Sequence, residues 1–150
     1  MEYRHKQFGA VMIAALAAGI VLVLTPFFSS GKFHPIPIEI LTILIAALAL
    51  FYSLTVEINN NTLICRFGIG LIQKKIPLSE IHQARTVQNP WYAGWGIHWI
   101  PGRYWLWNVT GLRGVELILK EGKRFRLGTN EPESLVQAIE RNKATGTNLR

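Results

Sequence analysis

Ser79, Glu80 and His82 put a hydroxyl, a carboxylate and an imidazole within four residues, the makings of nucleophilic catalysis. They follow Pro77-Leu78 without a nucleophile elbow or an oxyanion hole, so turn residues explain them better. The other reactive types are scattered. His5, His34, His82 and His98 have no metal-ligand spacing, and Cys65 is the only cysteine. All nine acidic residues are Glu, which removes Asp from any acid–base or metal set. Gly68-Ile69-Gly70 lacks the third glycine and the following helix of a dinucleotide site. The expectation is a non-enzyme, with no catalytic residue, metal ligand or cofactor assigned.

Binding chemistry is better represented. The stretch NPWYAGWGIHWIPGRYWLWN, Asn89 to Asn108, contains all five tryptophans. Ile100-Pro101-Gly102-Arg103 reads as a turn. A two-residue hairpin there would set Trp99 opposite Tyr104 and Ile97 opposite Leu106. Trp95, Ile97 and Trp99 would then fill a core, and His98, Arg103, Trp105 and Trp107 would share the second face. Pro-Gly favours a type II turn, which fits hairpin twist poorly, so a wider loop is the alternative. The second face could be buried, form a subunit interface through its Trp and Arg anchors, or meet lipid headgroups. The first two rank slightly above the third. Lys123, Arg124 and Arg126 add a short basic group. His98, Arg103, Trp105, Trp107, Lys123, Arg124 and Arg126 are thus the candidate residues for a lipid or protein partner.

The charge bears on the partner. The formal net charge is +7, and residues 55–150 hold thirteen Lys or Arg against seven Glu. Nucleic acid is disfavoured because no long Lys/Arg run occurs. An anionic leaflet, attracting roughly 1 kcal/mol per nearby cation, fits better.

Two apolar runs, 8–28 and 36–54, precede this basic part. The first is uncharged, and at ~1.5 Å per residue it would cross a ~30 Å hydrocarbon layer. The second carries only Glu39, near its start, and Pro35 and Pro37 suit its first turn. The linker Ser29 to His34 is short, so a transmembrane hairpin is expected. A cleaved signal peptide is disfavoured by the length of the first run. Arg4 and Lys6 before the first run, and Arg66, Lys74 and Lys75 after the second, outnumber Lys32 in the linker. Both termini would therefore be cytoplasmic.

From Leu54 the pattern changes to strands and turns. LTVEI, TLICRF, LIQKKI, IHQARTVQN, VELILK and KRFRLG read as strands, beside the aromatic stretch. Asn130, Pro132 and Glu133 signal a closing helix, with Leu135, Val136 and Ile139 on its apolar face. The last residues, 144–150, read as a polar tail.

These features resemble the bacterial pleckstrin-homology-like membrane proteins. The likeness rests on Gly94-Trp95-Gly96-Ile97, Asn108-Val109-Thr110-Gly111, Val115-Glu116-Leu117 and Gly128-Thr129-Asn130-Glu131-Pro132, and covers about Leu54 to Asn142 with the preceding hairpin. It implies a membrane α-hairpin plus a mainly-β barrel of about seven strands capped by a C-terminal helix. The family's eukaryotic counterparts bind phosphoinositides through a basic first loop. Here that loop, Asn59-Asn60-Asn61, is uncharged and departs from the pattern. The expected organisation is a two-span hairpin over 1–54, a cytoplasmic domain over 55–143 and a tail over 144–150. The expected role is a multi-pass cell-membrane protein whose domain self-associates or binds a protein partner. The alternative role is docking on anionic lipid.

Overall fold

The computed structural model describes residues 3–30 and 35–147. Lys32 and His34 of the linker, and 148–150 of the tail, lie outside the described residues. Strand β1 (Tyr3–Phe8) leads into helices α1 (Ala10–Ser30) and α2 (Pro35–Phe51). Then follow β2 (Ser53–Asn59), β3 (Thr62–Phe67), β4 (Ile72–Pro77) and β5 (Ile81–Gln88). The aromatic stretch forms β6 (Gly96–Ile100) and β7 (Tyr104–Asn108). The chain continues through β8 (Arg113–Leu119) and β9 (Arg124–Gly128) to helix α3 (Pro132–Thr147).

The strands form two sheets, in the orders β1-β2-β3-β4 and β5-β8-β9-β7-β6. All pairings are antiparallel except β7 with β9. Alternation explains which side each strand buries, since successive side chains point to opposite faces. Leu54, Val56 and Ile58 of β2 meet Leu63, Cys65 and Phe67 of β3 on one inner face. Val115, Leu117, Phe125, Leu127 and Trp107 supply the other. Leu135, Ala138 and Ile139 of α3 complete this core. The start of α3 differs from the expected cap. Asn130 Oδ1 accepts from His5 Nε2 at 2.7 Å, while Thr129 Oγ1 accepts from the Glu131 amide.

Four expectations are corrected. The single barrel of about seven strands is replaced by two sheets of four and five strands. One added strand is β1, which precedes the helices and pairs with β2 across them. The transmembrane hairpin, the multi-pass membrane location and the cytoplasmic placement of both termini are not supported. Among the described residues, no helix is long and apolar enough to cross a membrane. Helix α2 has 17 residues, or ~26 Å against a hydrocarbon layer of ~30 Å. Helix α1 carries a proline, Pro26, inside its last turns.

Candidate functional site

The β6–β7 hairpin turns through three residues, Pro101, Gly102 and Arg103. Gly102 has φ +69, and the Arg103 amide donates to the Ile100 carbonyl at 3.0 Å. Ile100 therefore pairs with Tyr104, Trp99 with Trp105, and Ile97 with Trp107. This is one residue away from the two-residue hairpin register, and a slip of one exchanges the partners' faces. Ile97, Trp99, Trp105 and Trp107 consequently share the core-facing side.

These four residues do not share the same fate. Trp107 sits in the core, 5.1 Å from Phe67 and 5.7 Å from Phe125 between ring centroids. Trp99 and Trp105 lie nearer the turn, beyond the packed centre. Their rings are tilted at 33° with centroids 6.3 Å apart, and they remain 59% and 48% exposed. Strand β6 is an edge of its sheet, so among the described residues one side of its backbone has no strand partner.

The opposite face carries Tyr104 and Leu106, which pack with Ala93 and Ile100 in a second small core. The turn Trp91–Ala93 supplies Ala93 to this core, while the Trp91 and Tyr92 rings are exposed. His98 is on this face too. Its Nε2 is 2.7 Å from the Trp95 carbonyl, which can only accept, so Nε2 carries the proton.

The basic candidates divide. Trp105 pairs with Phe125 in the parallel β7–β9 register, which brings Arg124 and the Lys120–Lys123 turn to the same end as Arg103. Arg103 and Arg124 are exposed there, and Lys123 Nζ is 2.6 Å from Glu121. Arg126 is committed elsewhere. It donates from Nε to Glu116 at 2.9 Å, and its guanidinium lies 3.7 Å over the Tyr104 ring. Arg85 binds the other Glu116 oxygen, with Nε at 2.9 Å. Arg103, Trp105, Lys123 and Arg124 thus lie at one end of the sheet, with Arg124 on the face opposite Trp105. His98, Trp107 and Arg126 serve the fold.

Reading along the sequence misses two features. Trp99 belongs with Trp105 at the exposed edge, a pairing set by the length of the turn. Glu116, flanked by Arg85 and Arg126, lies in the middle of VELILK. A carboxylate there breaks an otherwise apolar run and is the one available signal.

No family model matches this chain, nor does any curated protein. The fragment likeness to pleckstrin-homology-like membrane proteins therefore has no family match behind it, and it is corrected by the two-sheet topology and by the lack, among the described residues, of a helix long and apolar enough to cross a membrane.

Proposed function

We propose that this chain is a non-enzymatic interaction module that docks a second copy of itself, or another protein, along the β6 edge. The observation that carries this is the Trp99–Trp105 ring pair, about half-exposed, with Trp99 on the edge strand β6 and Trp105 on its neighbour β7. Large aromatic rings supply most of the energy of many interfaces, and a free strand edge offers backbone groups for pairing. The reactive side chains are mostly occupied. Glu57 pairs with Arg66, and Glu116 with Arg85 and Arg126. Burial pushes the Cys65 thiol up to about 12, which removes it as a nucleophile at neutral pH.

The test is sedimentation of the full chain in neutral detergent over a range of concentrations. The wild type should associate, and Trp99→Ala with Trp105→Ala should weaken association at least about tenfold, as loss of one anchor residue costs about 2 kcal/mol. Association that survives the double substitution unchanged would remove β6 as the interface.

Arg103 and Arg124, exposed at the same end of the sheet as these rings, support a second reading, docking on an anionic lipid surface. Salt-sensitive binding to anionic vesicles, abolished by Arg103→Gln with Arg124→Gln, would favour it over a protein contact.

A further inference from the structure

A second concave surface lies on the other sheet. Arg4 and Lys6 are two residues apart on β1, so both project from the outer face. Glu57 stands opposite Arg4, and Thr55 opposite Lys6. Arg66 of β3 stands opposite Thr55. With the turn from Gly68 to Gly70, these side chains line a cavity of about 470 Å³. That falls in the usual range for a small-ligand pocket, about 300–1,000 Å³.

Its charge is unbalanced. The Glu57 carboxylate is buried and bound by Arg66. Among the described residues, neither Arg4 nor Lys6 forms an ion pair. The Lys6 ammonium is held between the rings of Phe8 and Tyr52, 5.0 and 5.1 Å from their centroids. Three cations against one carboxylate leave two positive charges facing the cavity. Ile69, 63% exposed, is the large apolar side chain of the lining, and Phe8, 54% exposed, stands on the same face of β1 as Arg4 and Lys6.

We propose that this cavity binds a phosphate ester, with Arg4 and Lys6 holding the phosphate and Ile69 and Phe8 meeting an apolar substituent. A phosphomonoester dianion matches the two uncompensated charges. A guanidinium fork and an ammonium point charge are the usual phosphate partners. The volume leaves room for more than the phosphate alone. A phospholipid headgroup and a soluble phosphate ester share this chemistry.

Calorimetric titration of the full chain in neutral detergent tests the site with four probes: inorganic phosphate, glycerol 3-phosphate, dihexanoyl phosphatidic acid and dihexanoyl phosphatidylcholine. Phosphatidic acid should bind saturably, and Arg4→Gln with Lys6→Gln should weaken it at least tenfold. Arg4→Lys should recover part of that loss. Arg113→Gln with Arg141→Gln, on β8 and α3, should change nothing. Near-ultraviolet dichroism confirms that each variant keeps its packed tryptophan. Glycerol 3-phosphate binding as tightly as phosphatidic acid supports the site with a soluble ester as its ligand. Binding of glycerol 3-phosphate a hundredfold weaker supports it with a lipid headgroup. The proposal is overturned if phosphatidylcholine matches phosphatidic acid, if the distant pair weakens binding equally, or if no phosphate probe binds.

Discussion

Glu116 has no exposed surface, and a buried carboxylate is costly unless it is paired. Burial by itself raises its pKa. The hydrogen bonds and charges of Arg85 and Arg126 more than reverse this and hold the carboxyl below the usual carboxylate range. Breaking a fully buried pair costs about 3–5 kcal/mol. Arg85 is half-exposed, so Glu116→Gln should cost less, about 2–3 kcal/mol, read as a lower denaturant midpoint. The pH dependence follows from the depressed folded pKa. Between that value and the unfolded one, near 4.3, the unfolded chain binds the proton and the folded chain does not. The stabilisation is therefore complete above about pH 4.3 and is lost as pH falls through the folded pKa. Acid titration of the unfolding midpoint should show a steeper fall in the wild type than in Glu116→Gln. A parallel fall in both would mean that the Arg85–Glu116–Arg126 row does not hold the carboxyl ionised.

At the scale of elements, the turn between β3 and β4 fastens the first sheet to the end of α2. The Gly68 amide donates to the Ser53 carbonyl at 2.8 Å, and the Ile69 amide to that of Ala49 at 3.3 Å. Gly68 has φ +48, and a Cβ there would run into the Ala49 and Leu50 carbonyls. Gly122 has φ +76 but open space around it. Gly68→Ala should therefore cost at least about 3 kcal/mol, against about 1 kcal/mol for Gly122→Ala. Equal losses in thermal unfolding would mean that Gly68 does not clamp α2. Elements of this kind differ in how far they can be read from sequence. The β2–β3 hairpin is legible because apolar alternation flanks a turn whose residues, Asn60 and Asn61, adopt φ 47 and 58. Strand β1 is not. YRHKQF has no apolar side, its buried Gln7 is satisfied by Gly128 and Asn130, and its strand partner lies some fifty residues on. The tryptophan stretch stands between these cases. Its strands and turn are legible, but its register depends on whether Arg103 belongs to the loop. That one residue decides that Trp107 is buried and that Trp99 joins Trp105 outside. The Arg4–Lys6 spacing is visible in the sequence, yet the opposing Arg66 and Glu57 come only with sheet pairing.

On the scale of the whole molecule, α1 and α2 form an insertion in a β-hairpin. Phe8 pairs with Ser53, and the Gly9 amide donates to the Tyr52 carbonyl at 2.9 Å, so the two strands meet where the helices leave. The helices pack on each other, with Gly19 facing Leu44. Much of their remaining surface is apolar and exposed, including Val21, Leu22, Ile43 and Ile45. Exposed apolar surface on this scale is characteristic of interaction sites. The main core draws its buried side chains from the sheets, α3 and the short segments at Leu78 and Val109, and among the described residues Phe51 is the one member of the helical pair packed against it. Replacing residues 11–48 with a short Asn-Gly turn should therefore leave both sheets intact, since Asn-Gly suits a tight hairpin. The shortened chain should keep the near-ultraviolet dichroism of buried Trp107, unfold cooperatively and bind less of an apolar dye than the full chain. Losing the Trp107 signal would mean that the helices hold the two sheets together. Keeping that signal while dye binding stays unchanged would place the principal apolar surface at the Trp99–Trp105 edge instead of on the helices.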